Sequence, residues 1–225
     1  MTNLVDVEHA RFLMVEQQIR TWDVLDQSVL ELLFTVKRED FVPAAYRALA
    51  FVDMEIPIGN SQAMMSPKME ARIIQEVAAQ PTERALEVGT GSGYLTALLA
   101  KRCQSVTSIE YFDELSRAAA PKLAAAGIHN VHLKIGDAAE SPANVLGVHE
   151  RFDVIVLTGS TPVLPEAFLA CLNTGGRLFA VIGDAPAMTA RVVTKTGEAT
   201  FDTLDLFETV LASLVNTKQP SRFSF

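Results

Sequence analysis

The chain has 225 residues, a formal net charge of -8 and a pI near 5.0; 49% of its residues are hydrophobic and 20% are charged. These values predict a single domain over residues 1–225 with a substantial core, and they exclude a disordered chain. The acidic balance argues against a nucleic-acid partner, because binding to phosphates requires a basic face. The sequence contains neither a signal peptide nor about 20 consecutive apolar residues, so we expect a cytoplasmic protein without a membrane partner.

The first part of the chain, residues 1–80, has the apolar periodicity of helices. Apolar residues recur at helical spacing over residues 12–19 and again over residues 29–36. Residues 54–61 contain proline and glycine, which discourage helix, and predict an extended loop. A further helix is expected to begin at Pro67, since proline favours the first helical turn. The sequence thus predicts a helical N-terminal region interrupted by one loop.

Residues 81–183 alternate short apolar strands with helices, which predicts a doubly wound, mostly parallel, Rossmann-like α/β sheet. The predicted strands cover residues 85–88, 106–110, 131–135, 153–157 and 177–182. The predicted helices include residues 95–101, 113–126 and 165–172. Residues 184–225 are expected to add strands at 192–193 and 207–214, with a hairpin turn at 195–198.

The most informative motif is LEVGTGSGY at residues 86–94, an apolar strand that breaks into three alternate glycines before a helix. Glycine is favoured there because the backbone must turn sharply and pass close to a ligand. A dinucleotide-binding turn would place its third glycine at Tyr94, and Glu87 would repel its pyrophosphate. S-adenosylmethionine carries a sulfonium and an ammonium but no phosphate, so an acidic residue suits it. The turn therefore predicts a site for S-adenosylmethionine.

Two further carboxylates follow the next two predicted strands. Glu110 ends the second strand about 20 residues beyond the glycines, where nucleotide-binding sheets place an acceptor for ribose hydroxyls. Asp137 ends the third strand, where it could accept a hydrogen bond from the adenine amino group. The carboxyl ends of parallel strands meet at one edge of a sheet. Glu87, Glu110 and Asp137 are therefore expected to line one crevice.

Several separate motifs extend this interpretation beyond the glycine turn. They are MVEQQ (14–18), VL (29–30), VKREDFVP (36–43) and IPIG (56–59). Together with the turn, and over residues 11–214, they resemble the protein-L-isoaspartate O-methyltransferase family. The resemblance implies a class I methyltransferase fold with a helical N-terminal extension and a C-terminal β-hairpin. It also implies methyl transfer from S-adenosylmethionine to the free carboxylate of isoaspartyl residues in damaged proteins.

The resemblance assigns roles to individual positions. The implied cofactor-binding residues are Glu87, Gly89, Thr90, Gly91, Gly93, Glu110, Asp137 and Thr158. The implied acceptor loop spans residues 59–66, and the implied substrate-binding residues are Ile58, Gly59, Gln62 and Ser66. Met65 and Ser66 are the candidates for catalytic positions beside the reacting carboxylate. No residue pattern predicts a metal site.

The acceptor loop departs from the family pattern. The family usually continues with GQTISQP after its Pro-Ile-Gly, whereas this chain has SQAMMSP at residues 61–67. Ala63 replaces the usual threonine and Met65 the usual serine. Ser66 could supply the missing hydroxyl or could simply cap the helix that follows it. Met64 and Met65 would make the pocket apolar, which leaves two alternatives open: a methyltransferase for another acceptor, and a non-catalytic protein that binds S-adenosylmethionine.

Overall fold

The computed structural model describes residues 4–218. Its α-helices are α1 (Leu4–Leu13), α2 (Gln27–Thr35), α3 (Pro67–Val77), α4 (Tyr94–Ala100), α5 (Asp113–Ala125), α6 (Ala143–Leu146) and α7 (Glu166–Ala170). A π-helical segment continues α1 over Met14–Ile19, and 3-10 turns cover Arg20–Trp22, Arg38–Asp40 and Ala44–Leu49. The strands are β1 (Ile56–Gly59), β2 (Gln62–Met64), β3 (Arg84–Val88), β4 (Ser105–Glu110), β5 (Val131–Ile135), β6 (Phe152–Thr161), β7 (Leu172–Asp184), β8 (Ala187–Lys195) and β9 (Phe201–Thr209).

Seven strands form the central sheet in the order β5-β4-β3-β6-β7-β8-β9. The strands from β5 to β7 pair in parallel, whereas β7, β8 and β9 pair antiparallel. The predicted mostly parallel sheet of the class I methyltransferase type, with helices before it and antiparallel strands after it, is therefore confirmed. The order runs outward from β3 in both directions, so β3 and β6 border the point where ligands bind in such sheets.

Both faces of the sheet are buried at its centre, as the alternating side chains of β6 show. Val154 and Val156 pack with α2, α3 and α4, while Ile155 and Leu157 pack with α7 on the opposite face. All four side chains are fully buried, as expected for a strand covered on both sides. Within residues 4–218, no helix has the length and apolar character needed to cross a membrane.

Three predicted elements differ from the structure. The extended loop predicted at residues 54–61 instead contributes to the antiparallel pair β1–β2, whose turn places Asn60 and Ser61 at positive φ. The strand predicted at 207–214 is wrong in position: β9 ends at Thr209, and the following residues leave the sheet. The predicted helix at 165–172 is shorter, since α7 ends at Ala170 and β7 begins at Leu172.

The segment after β9 returns to the end of β6 because the two are tied by hydrogen bonds. The Ser160 amide donates to the Ala212 carbonyl at 2.9 Å, and the Leu214 amide donates to the Ser160 carbonyl at 2.9 Å. The Ser160 hydroxyl donates to the Leu211 carbonyl at 2.8 Å. These bonds satisfy backbone groups that a continued β9 would have paired within the sheet, and they bring residues 211–215 to the carboxyl end of β6.

Arg38, from the VKREDFVP motif, joins the N-terminal region to the acceptor loop. Its guanidinium donates to the Glu70 carboxylate at 3.0 Å, to the Ala50 carbonyl at 2.8 Å and to the Met65 carbonyl at 2.5 Å. Both charged side chains are almost completely buried. Burial raises the pKa of Glu70 to about 7, while the charge of Arg38 acts in the opposite direction. The motif is thus explained by a buried ion pair that holds the base of the loop.

Candidate functional site

A cleft of about 760 Å³, open to solvent, lies at the carboxyl ends of β3, β4, β5 and β6. This volume includes open solvent at the mouth of the cleft. Seven of the predicted site residues line it: Ile58, Gln62, Gly89, Gly91, Glu110, Asp137 and Thr158. The structure therefore brings together most of the positions that the sequence indicated.

The glycine turn presents bare backbone to the cleft. Gly89 has a φ of +99°, and a Cβ there would stand 2.1 Å from the Thr158 hydroxyl oxygen. That hydroxyl donates to the carbonyls of Val88 and Gly89 at 2.8 and 2.9 Å. Gly91 has a φ of +52°, and its Cβ would press against Ile58 at 3.3 Å. Only glycine fits both positions without strain, so a ligand can approach the main chain closely.

Glu110 is held rigidly at the side of the cleft. One carboxylate oxygen accepts from the Gly91 amide at 2.8 Å, and the other accepts from the Phe112 amide at 3.0 Å. Each carboxylate oxygen has a second lone pair, so Glu110 can still accept hydrogen bonds from two hydroxyl groups of a ligand. The expected role of Glu110 at a ribose fits this geometry.

Asp137 lies on the same cleft but already has two partners. One carboxylate oxygen accepts from the Ala139 amide at 3.1 Å, and the other accepts from the Asn216 side-chain amide at 2.7 Å. A ligand amino group could use the remaining lone pairs or replace Asn216. The predicted position of Asp137 is therefore compatible with an adenine contact.

Glu87 does not line the cleft, which corrects the expectation that three strand-end carboxylates share one crevice. It is fully buried, and one of its oxygens accepts from the hydroxyls of Thr96 and Ser108, each at 2.5 Å. Alternation along β3 explains the difference, because the next residue, Val88, faces the cleft. Ser108 is also hydrogen-bonded to Thr90 at 2.6 Å, so Glu87 supports the turn from behind.

Thr90 and Gly93 also lie away from the cleft. Thr90 is buried and lines a smaller cavity beside it. Gly93 precedes α4 with a φ of +86°, and a Cβ there would stand 3.1 Å from the Ala119 side chain on α5. Its glycine is thus required by backbone conformation and helix packing rather than by contact with a ligand in the cleft.

Glu87 makes the stability of the fold sensitive to pH. Burial raises its pKa to about 8, and the charges of Glu110 and Glu70 act in the same direction. The folded chain then keeps a proton that the unfolded chain loses above its ordinary pKa, so the free energy of unfolding should fall as pH rises toward about 8. Glu70 contributes to the fall with the same sign. We expect the free energy of unfolding, measured with urea at a series of pH values, to decline less steeply with rising pH for Glu87→Gln than for the unchanged protein.

A matched control for this measurement is Glu198→Gln. Glu198 is exposed in the turn between β8 and β9, so its substitution should leave the pH profile unchanged. Equal profiles for Glu87→Gln and the unchanged protein between pH 5 and pH 9 would contradict the assignment of the titration to Glu87.

The acceptor side of the site is formed by the β1–β2 hairpin. Ile58, Gln62 and Ala63 line the cleft, whereas Gly59, the exposed last residue of β1 with a φ of +99°, does not. Met65 is buried and lines the smaller cavity of about 310 Å³ together with Ala63, Gly89 and Thr158. The structure thus places Met65, but not Gly59, close to the glycine turn.

Ser66 lies at the N-cap position of α3, but its side chain makes no capping hydrogen bond. It lines a third cavity on the far side of Met65 and not the main cleft. The predicted capping bond to α3 is therefore not made. Orientation of the reacting carboxylate by the Ser66 hydroxyl stays a prediction.

Three parts of the cleft wall were not predicted. Tyr111 and Phe112 follow Glu110 directly. Because they come just beyond the end of a parallel strand, the sequence could have indicated that they line the cleft. Glu55, before β1, and residues 211–215, after β9, also line the cleft. Their positions depend on the hairpin and on the hydrogen bonds to Ser160, and neither has a local sequence signal.

A parallel sheet with a glycine turn, a strand-end carboxylate and an open cleft defines a class I methyltransferase. The chain matches the family model for protein-L-isoaspartate(D-aspartate) O-methyltransferase over residues 10–219. It therefore belongs to this family, and it is an S-adenosylmethionine-dependent methyltransferase. The residues of the cleft fit this cofactor, since Gly89 and Gly91 line it and the Glu110 carboxylate keeps lone pairs for ribose hydroxyls.

Solved structures agree with this fold. One is described as a protein-L-isoaspartate O-methyltransferase from Plasmodium falciparum in complex with S-adenosyl-L-homocysteine; its TM-score is 0.77 and its identity 21%, over 91% of this chain and 97% of that one. Another, also described as a protein-L-isoaspartate O-methyltransferase, has a TM-score of 0.73 and 21% identity, over 92% of this chain and 65% of that one.

Proposed function

We propose that the protein methylates the free carboxylate of isoaspartyl residues in damaged cytoplasmic proteins. The observation that carries the proposal is the cleft itself, in which the glycine turn and Glu110 face the β1–β2 hairpin. Family membership supports the same reaction. When bound, S-adenosylmethionine would supply the methyl group: the carboxylate oxygen would provide the electron pair of the new O–C bond, and the electrons of the broken S–C bond would stay on the sulfur of S-adenosylhomocysteine.

The residues of the chain would act by positioning. A carboxylate with a pKa near 4 is already ionised at neutral pH, so its attack requires no general base. Gly89 and Gly91 would bind the cofactor through the main chain, Glu110 through the ribose and Asp137 through the adenine. Thr158 lines both the cleft and the smaller cavity, where it would contact both the cofactor and the isoaspartyl substrate. Correct positioning of two reactants alone is worth roughly 7 to 11 kcal/mol in favourable cases.

The direct test is transfer of a radiolabelled methyl group from S-adenosylmethionine to an isoaspartyl peptide, with the same peptide carrying normal aspartate as control. We expect label on the isoaspartyl peptide only. Binding of cofactor without transfer to either peptide would contradict the proposal.

A second candidate, a small apolar carboxylic acid as acceptor, is favoured by the methionine-lined cavity beside the cleft. Here Ala63 and Met65 offer no side-chain hydrogen bond to a peptide. This candidate predicts transfer to a panel of small apolar acids and no competition by the isoaspartyl peptide. Competition by the peptide would exclude it.

Met65→Ser tests the acceptor loop within the first proposal. A serine there would restore a hydroxyl beside the reacting carboxylate, and a hydrogen bond to a charged group is worth about 1.5 to 3 kcal/mol. We expect kcat/KM for the isoaspartyl peptide to rise about tenfold or more. Met65→Ala is the matched control, since it removes the same buried side chain without adding a hydroxyl. Equal values for the two variants would show that the hydroxyl contributes nothing.

A further inference from the structure

A separate cavity adjoins the cofactor cleft on the side of the acceptor loop. It has a volume of about 540 Å³, is open to solvent and shares Glu55 and Leu211 with the cleft. Trp22, Met65, Met69 and Val210 supply its apolar walls. A substrate held at the mouth of the cleft would therefore reach this cavity with a neighbouring part of the same chain.

Trp22 forms a rigid wall of this cavity. Its ring packs edge-on against Phe207, with the ring centroids 4.8 Å apart, and the Lys68 ammonium lies 5.1 Å from its centroid. Its backbone carbonyl accepts from the Arg72 guanidinium at 3.2 Å. An aromatic surface fixed in this way needs no reordering to receive a side chain, which favours binding.

The positive charge beside the cavity is paired, whereas the negative charge is not. Lys68 is paired with Asp53 at 2.7 Å, so its charge is already compensated. Among residues 4–218, Glu55 has no ion-pair or hydrogen-bond partner, and it lies where the cavity and the cleft meet. The uncompensated charge at this junction is therefore negative, as is the net charge of -8 for the whole chain. Both favour a cationic group over an acidic one.

We propose that this cavity binds an arginine or lysine side chain of the acceptor, close in sequence to the isoaspartyl residue. The aliphatic part of such a side chain would pack on Trp22 and Val210, and its cation would pair with Glu55. The inference rests on the proposed function, because it specifies which isoaspartyl sequences the same site prefers.

The test compares three isoaspartyl peptides that differ at one neighbouring residue: arginine, norleucine or glutamate. The neighbour is placed before the isoaspartyl residue in one set and after it in a second set. We expect kcat/KM for the arginine peptide to exceed that for the norleucine peptide about two- to fivefold in one set, as for a partly exposed ion pair. The glutamate peptide should be the poorest substrate.

Glu55→Gln should abolish the ratio between the arginine and norleucine peptides, whatever its effect on their common rate. Glu31→Gln removes the same charge from an exposed position on α2, outside both cavities, and should leave the ratio intact. Equal rates for all three peptides, a preference for norleucine, or an unchanged ratio in Glu55→Gln would overturn the proposal. Failure to methylate any peptide would instead remove the proposed function, and this inference with it.

Discussion

Replacement of Glu110 by alanine should weaken binding of S-adenosylmethionine about 100-fold. The expected loss is two hydrogen bonds from ribose hydroxyls to a charged carboxylate, at about 1.5 kcal/mol each. The Glu110 carboxylate is well placed for them because the amides of Gly91 and Phe112 fix its orientation. Isothermal titration calorimetry with S-adenosylmethionine or S-adenosylhomocysteine measures the change directly.

Two variants make this measurement specific. Glu110→Gln keeps the size of the side chain and one acceptor oxygen, so an intermediate loss is expected. Glu114→Ala removes a carboxylate from the exposed side of α5, outside the cleft, and should leave the dissociation constant unchanged. A dissociation constant within threefold of the unchanged protein for Glu110→Ala would exclude Glu110 as the ribose ligand.

Replacement of Arg38 by methionine should lower the free energy of unfolding by about 3 to 5 kcal/mol. The substitution leaves the Glu70 carboxyl buried without its partner, so the group must either remain charged without compensation or take up a proton, and breaking a buried pair on one side is costly. It also removes the donors to the Ala50 and Met65 carbonyls. Urea unfolding at neutral pH measures the loss.

Arg47→Met is the matched control for Arg38→Met. Arg47 forms an exposed ion pair with Asp40 at 3.5 Å, and such a pair contributes about 0 to 1 kcal/mol. The double variant Arg38→Met/Glu70→Met should recover part of the stability, because it removes the orphaned charge as well. A loss below about 1 kcal/mol for Arg38→Met would show that the buried pair does not hold the loop.

The sheet and the positions of two carboxylates on the cleft could be predicted from the sequence, because both depend on the order of the strands along the chain. Glu110 and Asp137 come at or just after the ends of adjacent parallel strands, and parallel strands end at one edge. The same reasoning failed for Glu87, which is one residue from the end of β3 and faces the opposite side of the sheet from Val88. A shift of one residue in a strand reverses the side chain, so proximity to a strand end does not suffice.

The remaining parts of the site depend on contacts between distant segments. Proline and glycine at residues 54–61 predict a loop, but two short strands form there and, within the described residues, pair only with each other. The apolar run after β9 resembles a strand that continues β9, yet residues 211–214 leave β8 and bond instead to Ser160 at the end of β6. Neither outcome is encoded in local propensity, which tertiary hydrogen bonding overrides.

The wall formed by residues 211–215 affects when the site can exist during synthesis of the protein. The glycine turn, Glu110 and Asp137 leave the ribosome well before this segment, which must then pair with Ser160. A nascent chain that ends before residue 211 would have the sheet edge without one side of the cleft. Full affinity for the cofactor should thus be acquired late in translation, after most of the parallel sheet has been made.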